Sequence, residues 1–189
     1  VQGMAEISTR KAVTRIETAM AIARHYGGPQ QIALGSLAQA QALHAVGRTG
    51  EAWPLIDTGR RIGEAMCSDL LCFQADLCEA LLALDAGDHQ RCARALQSAF
   101  ALGAGCDYLN HESFRPAVMA RLCAFALAHG IVPEYARRLI RLRCLKPPAL
   151  EQECWPWPVK IYTLGRFSVV VDGQAIVETG RPSQKPIEL

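Results

Sequence analysis

The sequence predicts a mainly α protein, built from antiparallel helical hairpins that repeat along a superhelix and end in a short C-terminal antiparallel β-arm. Three observations carry this. Apolar residues recur at spacings of three and four up to Cys144, as in Leu77, Ala80, Leu81, Leu84 and in Leu96, Ala99, Phe100. Glycines 47, 87 and 130 sit in one recurring context. After Leu145 the composition switches to prolines and tryptophans, and then to β-branched runs. The chain is therefore divided into a helical repeat domain at 1–145, a Pro/Trp linker at 146–158, and an arm at 159–189.

The periodicity places helices at residues 4–26, 31–46, 51–66, 70–86, 89–104, 115–129 and 133–145. Proline is nearly absent inside them and glycine falls between them, as helix stops require. Asp88 is placed to cap the fifth helix, and Pro133 fits the first turn of the seventh. Lys146-Pro147-Pro148 and Trp155-Pro156-Trp157-Pro158 end the helical region. Val159–Thr163, Phe167–Val171 and Gln174–Val177 read as strands, the last two joined by Asp172-Gly173, a strong hairpin signal. A new helix is expected to open at Ser183, with Pro186 and Glu188 in its first turns.

The repeat is Leu43-x3-Gly47-x4-Ala52, Ala83-x3-Gly87-x4-Cys92 and Ala126-x3-Gly130-x4-Tyr135, its glycines 40 and 43 residues apart. Each glycine ends one helix just before another begins, so the unit is a helical hairpin. Small residues after the turn, and again seven positions on at Gly59 and Ala99, let the paired helices cross closely. The pattern resembles a lengthened tetratricopeptide repeat. Each hairpin then needs its neighbours to bury its second face, so the helices should stack in sequence order.

The run from Val159 through Leu164-Gly165-Arg166-Phe167 to Asp172-Gly173, followed by Gln184-Lys185-Pro186, resembles the opening of the bacterial transcriptional activator domain, a winged helix of the response-regulator type. The resemblance covers about 31 residues. It implies that the parent is a cytoplasmic bacterial transcription regulator whose helical repeats are similar to the sensor and oligomerisation repeats of maltose-activator-type regulators. That family's DNA-reading helix lies further along its domain than Leu189, so DNA is expected as a partner only through the complete domain. Position 1 is Val, and the chain is read as a piece of something longer. The expected function is a non-enzymatic interaction or sensor region that couples a signal to DNA binding, with a protein partner or an upstream signalling module of the same chain. A bare strand row of Phe167, Val169 and Val171 also suggests a homodimer through the arm. The alternative is a tetratricopeptide-like adaptor that holds a peptide and is unrelated to transcription. A basic helix-turn-helix beyond Leu189 would separate the two.

Composition and motifs exclude much else. The net charge is +2, from 20 Lys and Arg against 18 Asp and Glu, too near neutrality for a strongly basic nucleic-acid clamp. The longest uncharged run, His25 to Gly47, is broken by Gly27, Gly28 and Pro29, so no membrane span is expected. The eight cysteines lack Cys-x-x-Cys spacing and a nearby His pair, so they read as reduced packing thiols in a cytoplasmic protein. No phosphate-cradling Gly-x4-Gly-Lys-Ser/Thr loop exists, so ATP and other cofactors are not expected. Arg115 stands where a zinc helix starting at His111-Glu112 would need its second His. Ser36 lacks the surroundings of an activated nucleophile, and no catalytic residue is assigned. His25, His44 and His129 fall near helix C-termini, where a partly positive ring suits the dipole. Candidate phosphate contacts are Arg137 and Arg141, on one side of the seventh helix together with Arg138, and Arg181 and Lys185 in the arm. The near-neutral total favours a solvated face for the arginines. Trp155 and Trp157, with no basic interleaving, read as linker packing.

Overall fold

The computed structural model describes residues 2–149, 153–163, 168–171 and 174–176, with side chains described from Val13 onward. Seven helices follow one another: α1 (Gln2–Tyr26), α2 (Pro29–Ala45), α3 (Thr49–Ala65), α4 (Asp69–Asp85), α5 (His89–Cys106), α6 (Pro116–Ala128) and α7 (Pro133–Leu142). Three strands follow, β1 (Val159–Tyr162), β2 (Ser168–Val171) and β3 (Gln174–Ile176). The chain divides into two compact units, Val1–Cys154 and Trp155–Leu189. The expected helix at Ser183 lies outside the described residues, as do Leu164–Phe167 and Asp172-Gly173.

In the first unit the helices pack in chain order as antiparallel hairpins, α2 with α3, α4 with α5 and α6 with α7. Helix termination is uniform. A residue with positive φ follows each of α2 to α7: Gly47, Cys67, Gly87, Asp107, Gly130 and Cys144. The next residue's N–H reaches back to the helix, Arg48 to the Leu43 carbonyl (2.9 Å), Ser68 to Gly63 (2.9 Å), Asp88 to Ala83 (2.9 Å) and Leu145 to Ile140 (3.0 Å). This Schellman closure satisfies carbonyls that a helix end otherwise leaves open. The first four such positions, 47, 67, 87 and 107, fall at 20-residue intervals. Ser68 and Asp88 then cap the next helix, accepting from the N–H of Leu71 (3.4 Å) and Arg91 (2.9 Å). One three-residue turn thus ends one helix and starts another.

Two expectations need correction. The seventh helix stops at Leu142, not at 145, because Cys144 takes a left-handed conformation (φ 48°) and closes it. The third helix starts at Thr49, before residue 51, leaving Pro54 inside it beyond the first turn.

Small residues set the crossings. A Cβ on Gly59 of α3 would lie 2.7 Å from Leu37 Cδ2 of α2, and one on Gly35 of α2 would lie 2.2 Å from Met20 Sδ of α1. Ala52, Cys92 and Ala99 are fully buried, as their places in the repeat predict. In the third copy Tyr135 replaces the small residue, and Gly103 of α5 makes room for its ring. Tyr135 also meets Phe100 edge-on at 5.1 Å and donates a hydrogen bond to the Tyr108 carbonyl. Val13, Leu37, Ala40, Leu43, Ala52, Ile56, Ala75, Cys78, Leu81 and Leu82 form one core, with α4 packed against α2, α3, α5 and α6. Among the described residues no helix is long and apolar enough to cross a membrane.

The second unit contains an antiparallel sheet of order β1-β2-β3. Val159 pairs with Val171, Ile161 with Val169, and Val169 with Ile176, so these five residues share one apolar face. Val169 and Val171 lie on one side as expected; Phe167 lies outside the described residues.

Candidate interaction surface

Arg137, Arg138 and Arg141 emerge on the solvent side of α7, opposite the buried Tyr135, Ala136, Leu139 and Ile140. With Glu134 and Leu142 they line a shallow groove of about 420 Å³. Arg137 pairs with Glu134, and Arg138 pairs with Asp107 at 2.7 Å. Arg141 is exposed and has no ion pair among the described residues. Arg143 turns away: its guanidinium lies 4.6 Å from the Phe114 ring centre and reaches Asn110 at 3.4 Å. Two of the four arginines are thus already balanced by carboxylates, as a solvated face predicts. Arg181 and Lys185 lie outside the described residues. Gly47, Gly87 and Gly130, with φ of 83°, 74° and 67°, are the turn residues that the repeat requires.

A second groove, of about 560 Å³, runs between α6 and the segment after α7. Pro116, Ala117, Ala120, Pro147 and Pro148 form its apolar walls, Arg121, Arg143 and Lys146 bring charge, and Cys144 completes the lining.

Two polar constellations escaped the sequence reading. On α4, Asp76 and Glu79 are nearly buried within an apolar helix. Arg60 of α3 bridges them, reaching Asp76 at 2.9 Å, while Arg91 of α5 reaches Glu79 at 2.6 Å and lies 3.9 Å from the Trp53 ring centre. Ser98 closes the chain by donating to Asp76 at 2.6 Å. Burial alone would raise the Glu79 carboxyl, but hydrogen bonds and charge from Arg91 and Arg60 hold it below the ordinary range. The signal was present: two carboxylates three residues apart on an apolar helix require cationic partners.

The other constellation centres on His44. Its ring bonds Thr49 Oγ1 at 2.9 Å through Nδ1 and Asp85 Oδ2 at 2.8 Å through Nε2, and Arg121 of α6 pairs with the same carboxylate. The line joins the C-terminal ends of α2 and α4 to the start of α3 and the middle of α6. Burial would raise the Asp85 carboxyl, but His44 and Arg121 hold it low. His44 does sit near a helix C-terminus, but its rings of partners tie neighbouring hairpins together. His129 bonds the Phe125 carbonyl at 2.9 Å and stacks on that ring.

His111 lies in the connection between α5 and α6, edge-on to Phe73 and Phe114, and both ring nitrogens lack hydrogen-bond partners among the described residues. Burial pushes it down to about 4, so it is neutral at physiological pH. Ser36 is a packed helix serine donating to the Ile32 carbonyl at 2.7 Å. All eight cysteines are free, but burial explains only Cys78, Cys92 and Cys123 fully; Cys67, Cys106, Cys144 and Cys154 are exposed. Cys67 and Cys144 are helix-closing residues, and Cys106 is the last residue of α5, so the expectation of packing thiols fails for these positions. Among the described residues no group of three or more His, Cys, Asp or Glu is placed to hold a metal.

Comparison with family models, curated proteins and solved structures finds no match for the chain.

Proposed function

We propose that the chain is a non-enzymatic interaction and sensor region of a cytoplasmic bacterial transcription regulator, coupling a signal to a C-terminal DNA-binding domain. The observation that carries this reading is the order of the parts: stacked helical hairpins, a proline-rich exit, and then an antiparallel strand meander on the sequence that resembles the activator domain's opening. Stacked hairpins suit the first role because their packing is shared between neighbours, so a ligand that prefers one packing shifts the whole array. The signal reaches the hairpins from a protein partner or from another module of the same chain.

The test uses the product of the whole reading frame. Selection from random duplexes at about 150 mM salt should recover a defined site, and deleting residues 1–145 should leave site binding intact while abolishing its regulation. If the whole product selects no site, the transcription reading is wrong. In that case the helical unit is better read as a peptide-holding adaptor, which the exposed arginines of α7 would suit for an acidic partner.

The same reading includes self-association through the arm, supported by the position of β1 and β3 as outer strands of the sheet among the described residues and by the exposed Val159, Ile161 and Ile176. Light scattering of this chain against one ending at Lys146 tests it. Equal monomeric masses would refute it.

A further inference from the structure

We infer that the groove between α6 and residues 143–148 binds a small organic anion with a flat apolar body. Its volume, about 560 Å³, falls in the range of small-molecule sites. Three of the nine lining residues are prolines, whose φ is fixed, and Ala117 and Ala120 belong to the regular helix α6. A wall that does not rearrange spares a ligand the ordering cost of binding.

The charge around it is one-sided. Arg121, Arg143 and Lys146 line the groove, and among the described residues no carboxylate does. Asp85 balances Arg121 from outside. Arg143 is held in place by Phe114 and Asn110, both uncharged at that contact, and has no ion-pair partner among the described residues. Lys146 is exposed and has no ion-pair partner among the described residues. Apolar walls with two cations that have no ion pair among the described residues fit a carboxylate or sulfonate on a ring system. They fit a nucleic-acid strand poorly, since the groove offers no aromatic platform for stacking. Lys146-Pro147-Pro148 is also where the chain leaves the last helix, so an occupant would touch the exit segment directly. This inference deepens the sensor reading by naming the class of effector.

The test uses the intact chain and 8-anilinonaphthalene-1-sulfonate as the probe, with alkylation of Cys144 as the local readout. Cys144 lines the groove and is exposed; Cys67 and Cys106 are exposed elsewhere and serve as internal controls. Saturating probe should slow iodoacetamide modification of Cys144 by about tenfold and leave the controls unchanged. The uncharged analogue N-phenyl-1-naphthylamine should bind about tenfold more weakly at low salt. Ala117→Trp, at an exposed α6 position, and Lys146→Glu should each weaken probe binding by a similar factor, with unchanged circular dichroism. No protection of Cys144, equal protection of all three thiols, or equal affinity for the neutral analogue would each overturn the inference. So would an acidic peptide that protects Cys144 where the probe does not, because the site would then take a protein segment. Protection of Cys144 combined with failure of DNA-site selection would keep the groove and remove the transcription reading.

Discussion

Replacing Gly59 by alanine isolates what holds α2 against α3. The two helices cross where Gly59 faces Leu37, and a Cβ there would stand 2.7 Å from Leu37 Cδ2 and 2.8 Å from Cγ. Ordinary carbon contacts lie at about 3.5–4.0 Å, so one partner must retreat by roughly 1 Å. Leu37 cannot do so freely, being 1% exposed inside the main core. Overpacking of this kind costs about 1–3 kcal/mol, while alanine gains about 1 kcal/mol over glycine in a helix interior. The net is destabilisation of about 1 kcal/mol. Gly50 provides the control on the same helix: nothing lies within 4 Å of its would-be Cβ, so Gly50→Ala should stabilise by about 0.5–1 kcal/mol. Thermal unfolding followed by circular dichroism should therefore separate the two variants by roughly 4–8 °C, with Gly59→Ala below the parent and Gly50→Ala above it. Adding Leu37→Ala, which vacates the contact, should erase the penalty of Gly59→Ala in a double-mutant cycle. If Gly59→Ala melts as high as Gly50→Ala, the crossing does not depend on that glycine and the packing argument is wrong.

Gly87→Ala should cost about 1 kcal/mol by urea denaturation; its Cβ would meet no atom within 4 Å, so the whole cost is the left-handed conformation at φ 74°, and a neutral result would refute that account. Glu79→Gln should destabilise by about 2 kcal/mol, discounted for partial exposure, because it leaves Arg60 and Arg91 with reduced compensation; a neutral change would mean the bridge is ornamental. His111 titrates near 4 when folded and near 6.5 when unfolded, so the unfolded chain takes up a proton that the folded ring refuses; stability should fall by roughly 2–3 kcal/mol as pH drops from about 6.5 to about 4, and His111→Phe should flatten that slope. The depressed Glu79 and Asp85 carboxyls act separately: their stabilisation is complete above the ordinary carboxylate range, about pH 4, and is lost as pH falls further through their folded values. In the native protein Cys67, Cys106, Cys144 and Cys154 should react promptly with a disulfide reagent at about pH 8, while Cys78 and Cys123, pushed by burial up to about 12, and Cys92, to about 11, should wait for unfolding.

The order and type of the elements were legible because each signal was local. Apolar spacing marked the seven helices, Asp88 and Pro133 marked two starts, and Gly47, Gly87 and Gly130 marked every second stop. The intermediate stops, expected at 66 and 104 and observed at Ala65 and Cys106, were legible from the apolar spacing alone; their closing residues were not, because Cys67 and Asp107 take the left-handed position without being glycine. The candidate surface was less legible still. Arg137 and Arg141 were found as a charge cluster, but the groove beside Arg121, Arg143 and Lys146 draws its lining from α6 and from a segment more than twenty residues later, and no linear pattern announces that meeting. Likewise, nothing local links His44 to Asp85, 41 residues away.

The short turns have a consequence for how this architecture can vary. A helix advances its side chains by about 100° per residue, so one residue inserted at 46–48, 66–68 or 86–88 would change the phase at which the following helix presents its apolar stripe. Val46–Arg48 and its counterparts behave like the teeth of a gear, whose pitch cannot alter without disengaging the next wheel. The connection at 107–115 is longer and changes the register from 40 to 43 residues between repeat glycines without breaking the stack. Tolerance to insertion should therefore be concentrated there, and a library of single-residue insertions read out by soluble expression would show a gap at each short turn and a plateau across that connection.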